Sequence, residues 1–143
     1  MGSSFITRIF EKSWDVSGGE FEWAMKGAIP YLEESCPEVA EFPFKQEWIY
    51  QNSGLGFSAS SMTVEEEKHV LEALRLSYTD WEKKIAQLPD SSDNKKFKVE
   101  QFLPHFRELI KMLEEEVRDI ERGKLIVQED GTAIVNEDFR DEE

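Results

Sequence analysis

The side chains best suited to chemistry are few: two histidines and a single cysteine in 143 residues. Glu66 and His69 stand three apart, which puts a carboxylate and an imidazole on one helix face, as in half of a carboxylate-bridged di-iron site. Such a site needs a second Glu-x-x-His, and Phe102 stands at the matching position before His105. The half-motif therefore reads as a solvated helix N-terminus, and no metal is expected. His69 or His105 could act as a general acid or base, but neither stands in a triad pattern. Cys36 lies between Ser35 and Pro37 with no basic neighbour to depress its pKa, so it reads as structural. A lone cysteine allows no intramolecular disulfide, which suits a reducing compartment.

The glycines add nothing catalytic. Gly18-Gly19 and Gly54-x-Gly56 complete neither a phosphate loop nor a dinucleotide fingerprint. Asp90-Ser91-Ser92-Asp93-Asn94 is acidic and polar like a calcium loop, but lacks the EF-hand glycine and closing glutamate. No cofactor is expected. Paired carboxylates for glycoside chemistry cannot be singled out, because 31 acids form pairs by chance.

Charge is the dominant signal: 31 Asp and Glu against 17 Lys and Arg, a net of −14. That balance repels nucleic-acid phosphates and anionic membrane surfaces and attracts basic proteins, with strong salt dependence. The densest acidic run inside a predicted helix is Glu114-Glu115-Glu116 with Asp119 and Glu121. Val117 and Ile120 mark the buried side, so most of these carboxylates are expected to face water, either as a plain solvated helix face or as a docking surface for a basic partner. Trp23, flanked by Glu20 and Glu22, is either an interface anchor or is covered by the 5–10 segment. The expected site is therefore partner-binding: Glu114, Glu115, Glu116, Asp119, Glu121 and Trp23.

The elements that must position these residues can be read from periodicity. Phe5–Phe10 is too short an apolar run to assign to strand or helix. Phe21, Ala24, Met25, Ala28, Ile29 and Leu32 mark an amphipathic helix that Pro30 should kink or end near Ile29. Trp48–Gln51 and Leu55–Ala59 flank a turn signal at Asn52-Ser53-Gly54, a predicted hairpin. Thr63 and Glu66 form a capping box. Behind it Leu71, Leu74, Tyr78, Trp81, Ile85 and Leu88 define a helix from about Val64 to Leu88. After a polar loop at 89–94, Phe106, Ile110, Leu113, Val117 and Ile120 define a second, with Gly123 at its C-cap. Pro104 suits a first helical turn, so Val99–Leu103 is expected to be a separate turn. Asp130-Gly131 between Leu125–Gln128 and Thr132–Val135 predicts another hairpin.

The sum is an α+β fold: two long antiparallel helices packed with an antiparallel sheet built from two β-hairpins. Residues 1–136 form one domain and 137–143 an acidic tail. No secretory leader and no apolar run of about 18 residues is present, so a cytoplasmic location without a membrane partner is expected. In gross character such a chain looks like bacterial immunity proteins or antitoxins, which neutralise a toxin by covering its basic cleft. The expectation is thus a non-enzymatic, acidic toxin inhibitor that binds a basic protein and no nucleic acid, with a homo-oligomer left open. The alternatives are an adaptor or regulatory subunit using an apolar helix or sheet surface, and an enzyme built on His69 or His105.

Overall fold

The computed structural model describes residues 2–9, 13–39 and 57–140. Strand β1 (Gly2–Ile6) turns back into β2 (Ser13–Ser17), with Phe5 opposite Trp14. In β2, Trp14 and Val16 point inward while Ser13, Asp15 and Ser17 face water, the two-residue alternation of a half-buried strand. The apolar run at 5–10 thus begins as strand. Ser17 then caps helix α1 (Gly18–Ser35) by accepting the Glu20 N–H.

Helix α1 continues through Pro30, contrary to the expected end near Ile29. Pro30 lies on the exposed face, where the carbonyl it deprives of a partner, that of Lys26, can turn to water. Phe21, Ala24, Met25, Ala28 and Leu32 are buried as their spacing requires.

Strand β3 (Phe57–Ser58) pairs parallel with β1, giving a three-stranded sheet in the order β2-β1-β3. Residues 48–56 of the expected first hairpin lie outside the described residues. Helix α2 (Val64–Ala86) starts at the predicted capping box: the Glu66 N–H donates to Thr63 Oγ1, and the Thr63 N–H to Glu66 Oε1.

The expected turn at 99–103 is part of a continuous helical run. A short helix, Asp93–Phe97, passes through a π-turn at Lys98–Phe102 into helix α3 (Leu103–Glu121). Pro104 explains the π-turn: its ring would crowd the carbonyl four residues back, and one wider turn relieves that contact. Gly123, at φ 85°, ends the helix where its cap was expected. Strands β4 (Leu125–Val127) and β5 (Ala133–Val135) form a separate two-stranded sheet.

The fold is therefore α+β, with two long packed helices and two antiparallel hairpins. The hairpins belong to different sheets, one at each end of the chain. Helices α2 and α3 run antiparallel, as Lys68–Glu121, Arg75–Glu114 and Tyr78–Phe106 contacts show. Helix α1 crosses α2 at Gly27, where a Cβ would collide with Ser77 Oγ. The core runs from Phe5 and Trp14 through Phe21, Met25 and Leu74 to Phe102, Phe106 and Leu113. Among the described residues no helix is long and apolar enough to cross a membrane.

Candidate functional site

The hairpin β4–β5 is built by its turn. The Gln128 carbonyl accepts the Gly131 N–H at 3.0 Å, and the Gln128 N–H donates to the Thr132 carbonyl at 2.8 Å. This is a type I turn followed by one left-handed residue, and Gly131 (φ 88°) fills that position. Asp130 accepts from both the Thr132 N–H (3.0 Å) and its hydroxyl (2.6 Å). Those bonds hold its carboxyl below the ordinary Asp range, so it stays ionised.

The hairpin is held to the body by Arg8, which is buried although fully charged. Its Nε donates to Glu67 Oε1 (2.7 Å), Nη1 to the Gly131 carbonyl (2.8 Å) and Nη2 to the Met62 carbonyl (2.6 Å). Its backbone N–H donates to Glu116 Oε2 (3.0 Å), and its carbonyl accepts the Ala133 N–H (3.0 Å). One residue thus ties together the N-terminal hairpin, both long helices and the second hairpin. The turn approaches so closely that a Cβ on Gly131 would collide with the Ser60 carbonyl.

Beside the guanidinium lie two buried carboxyls, Glu67 and Glu116. Burial, a hydrogen bond to Glu67 and the Glu67 charge push Glu116 up to about 8. Glu67 Oε2 and Glu116 Oε1 are the two bare acceptors of the cluster. A proton held on Glu116 and donated to Glu67 satisfies both. The cluster then contains one cation, one carboxylate and one neutral acid, so no net charge is buried.

Above this anchor the hairpin turns an apolar face outward. Ile126 and Ile134 are directly opposed across the two strands and are 46% and 47% exposed. Val135 at the strand end is more exposed still. At the turn end, a cleft of about 400 Å³ opens between the hairpin and the start of α2. Its acidic rim is Glu66, Glu129 and Asp130, and its one cation, Arg8, is already spent on internal bonds. Glu137 and Asp138 follow directly after β5 and Asn136. The arrangement is a small apolar patch with carboxylates at its turn end.

The residues expected to form the partner site are divided among three places. Glu116 faces inward and cannot meet a partner. Glu114 and Glu121 line the α2/α3 groove, paired with Arg75 and Lys68. Glu115, Glu116 and Asp119 together line a small cavity with Thr7 and Leu125. The run's acids are therefore split, Glu114 towards the α2/α3 groove and Glu115 and Glu116 towards this cavity, as 3.6 residues per turn allows. Trp23 is half-buried in an aromatic cluster, edge-on to Phe102 (5.2 Å) and beside Trp81 (6.1 Å), with the Lys98 ammonium over its ring (4.9 Å). This cluster covers one side of the ring.

The histidines take separate places. Glu66 of the half-motif is engaged as a helix cap. His105 Nδ1 lies 2.7 Å from Oε1 of the buried Glu20, a base–orienter pairing like half of a hydrolytic triad. The pair's other bonds are structural: Ser17 Oγ donates to Glu20, and the Trp14 indole donates to the His105 carbonyl. Among the described residues no cluster of three or more His, Cys, Asp or Glu could hold a metal. Arg8 and the isoleucine pair were missed in the sequence. A charged residue inside the apolar run 5–10, and alternation within the predicted hairpin, were the available signals. Comparison with protein-family models, curated proteins and solved structures finds no match to this chain.

Proposed function

We propose that this chain is a protein-binding module for a basic partner, engaged through the outer face of hairpin β4–β5 and the carboxylate cleft at its turn. The observation that carries the reading is the exposed Ile126–Ile134 pair with Glu129 and Asp130 at its turn end. An apolar centre with a charged rim is the anatomy of a docking patch. Net charge of −14 steers a basic protein towards it, and the isoleucines hold what arrives. Completing the burial of two half-exposed isoleucines contributes about 1 kcal/mol each. An inhibitor of the immunity-protein or antitoxin kind is the form of this function that the charge favours.

The test is retrieval of partners from host lysate at low salt, run in parallel with three forms of the protein. Wild type and E114K/E121K should both retain a basic protein that elutes with moderate salt. I126D/I134D should lose it. Retention by the isoleucine variant, or failure of wild type to retain any basic protein, would remove the hairpin from this role.

A further inference from the structure

A second surface, formed by α2 and α3, carries the opposite charge to the carboxylate cleft. Two adjoining clefts, of about 620 and 460 Å³, share Arg75 and Glu114 and make one groove along the helix pair. Six basic side chains line it: Lys68, Arg75, Arg107, Lys111, Arg118 and Arg122. Only two acids do, Glu114 and Glu121. In a chain with 31 acids and 17 bases, chance would give nearly the reverse. Leu71, Tyr78, Ile110 and Val117 supply an apolar floor.

Each acid in the groove is already matched, Glu114 by Arg75 and Glu121 by Lys68. Arg107 and Lys111, successive positions on one side of α3, make no ion pair among the described residues. Lys68 to Thr79 spans about 17 Å at 1.5 Å per residue, the length of three helical turns. A seam between two antiparallel helices is the shape that receives a third helix, with apolar residues at i, i+3/i+4 and i+7 on the floor.

We infer that the α2/α3 groove docks an acidic amphipathic helix of a partner protein, its carboxylates paired with Arg107, Lys111 and Arg118 and its apolar stripe on the floor. The groove shares no lining residue with the hairpin cleft, so this site can stand or fall without it. A chain with both surfaces would bridge a basic protein and an acidic one. The partner is a protein segment rather than nucleic acid, because apolar floor residues match side chains and the remaining field of the chain opposes a polyphosphate.

The test is selection from a displayed library of amphipathic helices, about 12 residues long to match the groove, with a fixed leucine stripe and polar positions randomised among Glu, Lys, Gln and Ser. Wild-type protein should enrich acidic clones. Their synthetic peptides should bind at least about tenfold more weakly to R107E/K111E, which disrupts no ion pair, and to R75E/R118E, both checked for folding by circular dichroism. Hydrogen exchange with bound peptide should slow on α2 and α3 and not on β4–β5. No enrichment, enrichment of basic clones, or acidic peptides indifferent to both variants would overturn the inference. So would tighter binding of a short single-stranded DNA to the same groove, which would assign it to nucleic acid.

Discussion

Glu116→Gln should abolish a steep pH dependence that the buried cluster gives the folded state. Glu116 holds its proton up to about 8 in the folded chain, against an ordinary 4.5. Between those values the folded state binds a proton that the unfolded state has released. Stability from this group is therefore complete below about pH 4.5 and is lost as pH rises through about 8. The slope approaches about 1.4 kcal/mol per pH unit. From about pH 5.5 to 8 the loss comes to about 3 kcal/mol. The substituted amide would accept the Arg8 N–H through its carbonyl and donate to Glu67 through its NH₂ group, reproducing both roles of the neutral acid without a titration. Urea denaturation of both forms at about pH 5.5, 7 and 8.5 measures the difference directly. At the acid end the two should be nearly equally stable. At the alkaline end the variant should be the more stable, by a midpoint shift of about 1–3 M for a chain of this size. The surrounding groups Arg8, Glu67, Glu115 and Asp119 are present in both proteins, so the comparison isolates the side chain at 116. Parallel stability curves across the range would refute the shared-proton account.

Arg8→Met should destabilise by about 3–5 kcal/mol in thermal or urea unfolding, because it leaves Glu67 as an uncompensated buried charge. Gly131→Ala should cost more than an ordinary left-handed glycine substitution, since the methyl meets the Ser60 carbonyl as well as an unfavourable φ. Its loss should fall on the hairpin first, read as faster hydrogen exchange in β4 and β5. Thr63→Ala should cost about 1 kcal/mol by removing the acceptor for the Glu66 N–H, with Thr63→Ser nearly neutral.

Elements whose cause is local were legible in the sequence. The capping box at Thr63 and Glu66 satisfies its own helix end within four residues, and Gly123 and Asp130-Gly131 carry their turn chemistry in their own backbones. The stripe from Leu71 to Ile85 sets the buried side of α2 whatever covers it. Pro30 shows the limit of such reasoning. Proline disfavours a helix interior, yet packing of Phe21, Met25, Ala28 and Leu32 outweighs the loss where the freed carbonyl faces water.

The acidic run of α3 divides the two kinds of knowledge most clearly. Sequence alone determined that this chain is strongly acidic, that it has two long amphipathic helices, and that a hairpin follows the second. Those properties follow from composition and short-range periodicity. Only the tertiary structure decided that Glu114 faces the α2/α3 groove while Glu116 is buried, with its carboxyl pushed up to about 8. Its partners, the Arg8 backbone and Glu67, come from segments 108 and 49 residues away. The same packing sorted the cations into the α2/α3 groove and left Ile126 and Ile134 exposed. A side chain's charge is written in its own residue, but its environment is set by residues that only the folded chain brings beside it.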